Sequence, residues 1–145
     1  MVPKSETTKV SMNEAKQDIL TRNEVITMVD HFYAKVKEDK LLRAVFAHVD
    51  WAHHLPIMYN FWSSMLFGDQ RYRGNPLQRH LHLAIDQRHF QQWLILFYET
   101  IDENFTGEKA EEVKMRARAI AGVFQVKMGL IQVPGRDPAP LPSSD

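Results

Sequence analysis

The chain has 145 residues, a single-domain length with room for a sizeable core. Its 18 Lys and Arg balance 18 Asp and Glu, so bulk charge offers nothing to nucleic acid or an anionic membrane. Cysteine is absent, which excludes disulfides, thiolate zinc sites, cysteine-held iron–sulfur clusters, a cysteine nucleophile and C-x-x-C-H attachment. Metal chemistry is left to His, carboxylates, Tyr and Met. No apolar run reaches the roughly 18–20 residues of a membrane span. The start, "MVPKSETTKVSMNEAKQ", lacks the apolar centre of a signal peptide, so a cytoplasmic location is expected.

Residues 1–20 are polar and weakly patterned, and read as an N-terminal extension, loose or briefly helical. Thr21-Arg-Asn-Glu24 has the spacing of a capping box. Behind it Ile26, Val29, Tyr33 and Val36 share one helical face, flanked by Phe32, in a helix reaching about Asp39. "LLRAVFAHV", residues 41–49, is a short apolar helix or turn. Asp50 is placed to cap the next helix, but Pro56 lies inside it, where a proline loses a backbone bond and clashes with the preceding turn. The expectation is an irregular turn over residues 51–55 and a regular helix from Pro56 to Phe67, ended by Gly68.

"GDQRYRG" reads as a loop, and Asn75-Pro76 as the start of a very short helix carrying His80. Asp86 caps a long helix with Phe90, Trp93, Phe97 and Ile101 in one stripe. Thr106 is the expected cap of a last helix, from about Glu108 to Met128, with Val113, Ala117, Ile120, Phe124 and Met128 inward. Residues 129–145 form a Pro-rich tail, expected to be extended or disordered. The class is all-α, with one domain over residues 21–128.

Aromatic and Met residues are ordinary core fillers; polar company among them is less ordinary. Tyr33, His54 and Trp93 lie on apolar faces, and a buried hydroxyl, imidazole and indole N–H all need partners. Three such groups suggest a site that holds something polar. The seven histidines make no metal cluster by spacing. His53 and His54 point about 100° apart on a helix, and His80 and His82 do not face each other. His31, His48 and His89 read as ordinary surface or core residues. Ser63 and Ser64 lack a nucleophile elbow, "GDQRYRG" lacks a phosphate-binding lysine, and Glu111-Glu112 belongs to a solvated face.

Four stretches, "HFYAKVKEDKLLRAVF", "DWAHHLPIMYNFWSSMLFG", "YRGNPLQRHLHL" and "HFQQWLILFYET", occur in the order seen in group III truncated haemoglobins. The chain resembles that bacterial family over about residues 20–126. The resemblance implies a truncated globin fold, a two-over-two helical sandwich around non-covalent haem b. It implies that His80, after Tyr-x-Gly-x-Pro, is the proximal iron ligand, and a haem iron of the globin type takes one neutral imidazole. Tyr33, His54 and Trp93 match the family's distal ligand-binding residues, with Tyr33 and Trp93 as donors to dioxygen. Phe46 matches the phenylalanine stacked on haem. Met58, Phe61, Trp62 and Met65 match distal walls, and Leu77, Ile85, Phe90 and Phe97 further pocket walls. Tyr72 and Arg79 stand where propionate contacts are expected. Pro56 and the neighbouring His53 leave open which histidine faces the iron.

The implied function is reversible binding of dioxygen, nitric oxide, carbon monoxide or cyanide by a monomer with no nucleic-acid or membrane partner. Two alternatives stand beside it. One is a nitric oxide dioxygenase or peroxidase-like enzyme, which needs a separate reductase. The other is a redox or sensor protein with His54 on the iron.

Overall fold

A computed structural model gives the structure of residues 16–69, 72 and 85–131. The expectations for Leu77, Arg79, His80, the short helix after Asn75 and most of the tail lie outside these residues. Four helices are described: α1 (Arg22–Glu38), α2 (Trp51–Phe67), α3 (Gln87–Asn104) and α4 (Glu108–Lys127). Among the described residues none is long and apolar enough to cross a membrane.

Local signals start α1. The Thr21 side chain accepts the Asn23 N–H at 3.2 Å, and Glu24 accepts the Thr21 N–H at 2.7 Å. This capping box satisfies donors that a helix start leaves open. The buried stripe is Val25, Met28, Val29, Phe32, Tyr33 and Val36. It is rotated from the expected one: Phe32 sits at its centre and Ile26 at its edge. Asp39 then turns the chain. Its carboxylate accepts the Leu41 and Leu42 N–H groups at 3.0 Å each, and the Gln92 amide of α3 at 2.6 Å. Residues 40–48 form consecutive turns that bring Leu42, Val45 and Phe46 back over α1.

Helix α2 runs without a break from Trp51, so the irregular start expected from Pro56 is corrected. Pro56 removes the bond to the Ala52 carbonyl, but both residues lie on the exposed face, where water can replace it. Asp50 stands at the N-cap without a side-chain cap bond. Gly68, at φ 67°, ends the helix in the left-handed region.

The last helix starts differently from the sequence reading. Its N-cap is Gly107 rather than Thr106, and no local side chain caps it. The cap comes from the far end of the chain: Asp18 accepts the Lys109 and Ala110 N–H groups at 2.8 Å each. Gln17 pairs with Phe105 in an isolated bridge, and Ile19 is fully buried. Residues 16–20 are thus neither loose nor helical, because one carboxylate and one isoleucine fasten them to the body. Helix α1 packs on α2 and α3, α3 on α4, and α2 touches α4. One continuous core runs from Ile19 through Phe32 and Phe97 to Ala117.

Candidate functional site

Between the helices lies an open cleft of about 780 Å³, counting its solvent-filled mouth. Helix α1 contributes Tyr33, and the turns contribute Leu42, Val45 and Phe46. Helix α2 supplies Met58, Phe61 and Trp62; α3 and the residue before its cap supply Ile85, His89, Phe90 and Trp93. Ile120, Ala121 and Phe124 of α4 close the described wall. Only Tyr33, Trp62, His89 and Trp93 among these carry a side-chain oxygen or nitrogen. The described walls of the cleft are apolar, with few polar groups.

Tyr33 is 6% exposed, and burial holds its phenol pKa well above the usual value. It remains a neutral hydroxyl donor through physiological pH. Its ring meets Phe46 at 6.0 Å, Trp51 at 5.1 Å and His54 at 5.5 Å. Phe46 stacks on Trp51, and the Lys37 ammonium lies over the outer Trp51 ring at 4.6 Å. Between the two adjacent histidines the geometry is clear: His53 is exposed, and His54 packs against Tyr33 and Trp51. His54 is not among the lining side chains. It stands one ring back, beside Tyr33.

Trp62 and Trp93 share a platform. Phe97 is 1% exposed and stacks on both, at 5.2 and 5.4 Å. Phe97 therefore supports the wall from the core side instead of lining the cleft, because its stripe position faces α1 and α2. Met65 is likewise not a lining residue; it is half-buried, one turn beyond Phe61, and packs on the core. Tyr72 is set beside the cleft by two contacts. Its N–H donates to the Ser64 hydroxyl at 2.9 Å, and its ring meets Phe61 edge-on at 5.1 Å. Asp69 accepts from both Ser63 and Ser64, so the two serines fasten the chain that leaves α2.

The pocket reading omitted Leu42, Val45, His89, Ala121, Ile120 and Phe124. Ile120 and Phe124 carried a signal as inward α4 positions. Leu42 and Val45 had none, since a run of turns has no fixed period. His89 could have been found from Asp86-x-x-His89, the spacing of a capping box with imidazole as its second arm.

A family model described as "Bacterial-like globin" matches residues 17–124. The chain belongs to the globin family. Within it, a group 3 truncated hemoglobin of Campylobacter jejuni is 32% identical over 117 residues, covering 76% of this chain and 92% of that one. A crystal structure of group III truncated hemoglobin from the same organism superposes with a TM-score of 0.73, at 32% identity. It covers 83% of this chain and 99% of that one. The family is the group III truncated haemoglobins, and the all-α arrangement is their two-over-two fold, α1 and α2 packed against α3 and α4. Membership gives family-level support for a globin-type protein that binds haem and small ligands.

The described residues fit haem on their own chemistry. A planar macrocycle requires an apolar slot, and the walls are Phe, Ile, Leu, Val, Met and Trp. Beside them, the protonated hydroxyl of Tyr33 and the indoles of Trp62 and Trp93 are donors, and His89 is the one imidazole among the described lining residues.

Proposed function

We propose that this globin holds haem b in the cleft through His80 and reversibly binds dioxygen, nitric oxide, carbon monoxide or cyanide. The observation that carries the reading is a buried, protonated tyrosine hydroxyl in an apolar cleft that Trp93 also walls. When bound, haem supplies an iron with one coordination position for a small diatomic ligand. The chain supplies the rest. Tyr33 and Trp93 donate hydrogen bonds to a ligand that acquires negative charge. The apolar walls exclude water, which strengthens those bonds. Phe97 holds both tryptophans, and Phe46, Trp51 and His54 hold the Tyr33 ring. The position of His54, one ring back, favours ligand binding over a His54-coordinated redox or sensor protein.

The test is the visible spectrum of the purified protein, ferric, then ferrous with and without carbon monoxide, for wild type and His80→Ala. A Soret band whose ferrous and carbon monoxide forms change in His80→Ala supports the reading. No Soret band after adding haem overturns it, and a six-coordinate ferrous wild type that becomes five-coordinate in His54→Ala restores the redox alternative.

A further inference from the structure

His89 has no part in the reading above. Its ring lines the cleft, its side chain is 13% exposed, and it occupies the first turn of α3. The Asp86 backbone N–H donates to His89 Nδ1 at 3.0 Å. An N–H can donate only to a nitrogen lone pair, so the neutral ring carries its proton on Nε2. The Asp86 Oδ1 atom is also 3.3 Å from Nδ1, but it already accepts from the Arg88 backbone at 2.9 Å. The shorter backbone contact therefore sets the tautomer.

Among the described residues the Nε2–H of His89 has no acceptor. The indoles of Trp62 and Trp93 are donors only, and the Tyr33 ring belongs to the aromatic group on α1 and the turns. Its ring lines the cleft, so what fills the cleft can supply that acceptor. Haem is an apolar plane with two carboxylates, and the carboxylates require a polar edge. His89 stands at such an edge: beside it Asp86 is half-exposed and Arg88 is exposed. The Asp86 charge would oppose a second carboxylate, but Arg88 pairs with it at 3.0 Å and offsets it.

We infer that His89 anchors a haem propionate, donating from Nε2 while Asp86 fixes its tautomer through Nδ1. The inference rests on the reading that the cleft holds haem. A neutral donor to a carboxylate is a charge-assisted hydrogen bond, and its loss corresponds to about tenfold in affinity.

The experiment measures haem transfer from the ferric holoprotein to excess haem-free acceptor globin, for wild type, His89→Phe and His89→Gln. Each is loaded with haem or with its dimethyl ester, which removes the carboxylate charge. The expected result is transfer about tenfold faster in His89→Phe with haem, largely restored in His89→Gln, and nearly unchanged by either substitution with the ester. Equal acceleration with both haems would assign His89 to packing or to the α3 cap, and equal rates with haem would leave it no role; either overturns the inference. A ferrous spectrum altered in His89→Phe as in His80→Ala would also overturn it, by making His89 an iron ligand. If His89→Phe does not fold, His89→Leu takes its place, with circular dichroism confirming the helix content. A wild type that takes up no haem would refute the proposed function itself, an outcome distinct from all of these.

Discussion

Tyr33 lines the cleft with a ring almost wholly withdrawn from water, and that burial sets its protonation. A raised phenol pKa means that the proton stays on oxygen above pH 10, where an exposed tyrosine ionises. The donor should therefore persist into alkaline solution. The dioxygen dissociation rate of the ferrous protein, followed by stopped-flow, is expected to stay flat between pH 7 and pH 10. Acceleration centred at pH 10 would mean an ordinary phenol. Each donor to a ligand with negative charge contributes about 1.5–3 kcal/mol, or roughly ten- to a hundredfold in the rate. Tyr33→Phe and Trp93→Phe should each release dioxygen faster by such a factor; unchanged rates in both would refute the donor roles. As residues of the cleft wall both were legible in the sequence, because each lies on the apolar stripe of a long helix. His54 was legible only as an inward position. Which ring it touches depends on Trp51 and on turns with no sequence period.

The helices that begin on local chemistry were the readable ones. Thr21 and Glu24 lie three residues apart and make the bonds that their spacing announces. The start of α4 was misread at Thr106 because its cap, Asp18, is about ninety residues away in sequence. Pro56 was misread for the opposite reason. Its local penalty is real, but solvent exposure lowers it, and exposure is a property of the fold. Gly107 gives the α4 start a sharp test. It sits at φ 138°, and a Cβ there would meet Asp18 Cγ at 2.4 Å. Gly107→Ala must strain the backbone and displace the capping carboxylate together. A loss of about 2–4 kcal/mol is expected, from the strain and the lost cap. Gly68 is the control: its φ is 67°, and nothing lies within 4 Å of a Cβ there. Gly68→Ala should cost only about 1–2 kcal/mol of left-handed strain. Urea denaturation of both variants decides the matter, and equal losses would deny the Asp18 cap its importance.

Across the whole molecule, Asp18 joins the N-terminal segment to the start of α4, so its protonation state bears on the stability of the fold. Burial alone would raise its carboxyl pKa. The Lys109, Ile19 and Ala110 N–H groups and the Lys109 charge more than offset that, and the net pKa lies below the ordinary 3.8. A folded-state value below the unfolded one means that the unfolded chain binds this proton more readily. The stabilisation is then complete above the unfolded value and is lost as pH falls through the folded one. Asp86 shifts the same way, to about 2, because Arg88 bonds to it, but it lies at the surface, half-exposed, and its effect is local. Asp18→Asn keeps an acceptor oxygen and removes the charge. At pH 7 its urea midpoint should lie below that of the wild type. The gap should narrow as pH falls below 3.8 and through the lower folded value, because the wild type then gains the proton that the variant never needed. Asp86→Asn should leave the midpoint nearly unchanged at pH 7. A gap between wild type and Asp18→Asn that stayed constant down to pH 3 would mean that the shape of the side chain, and not its charge, fastens the N-terminal segment to α4.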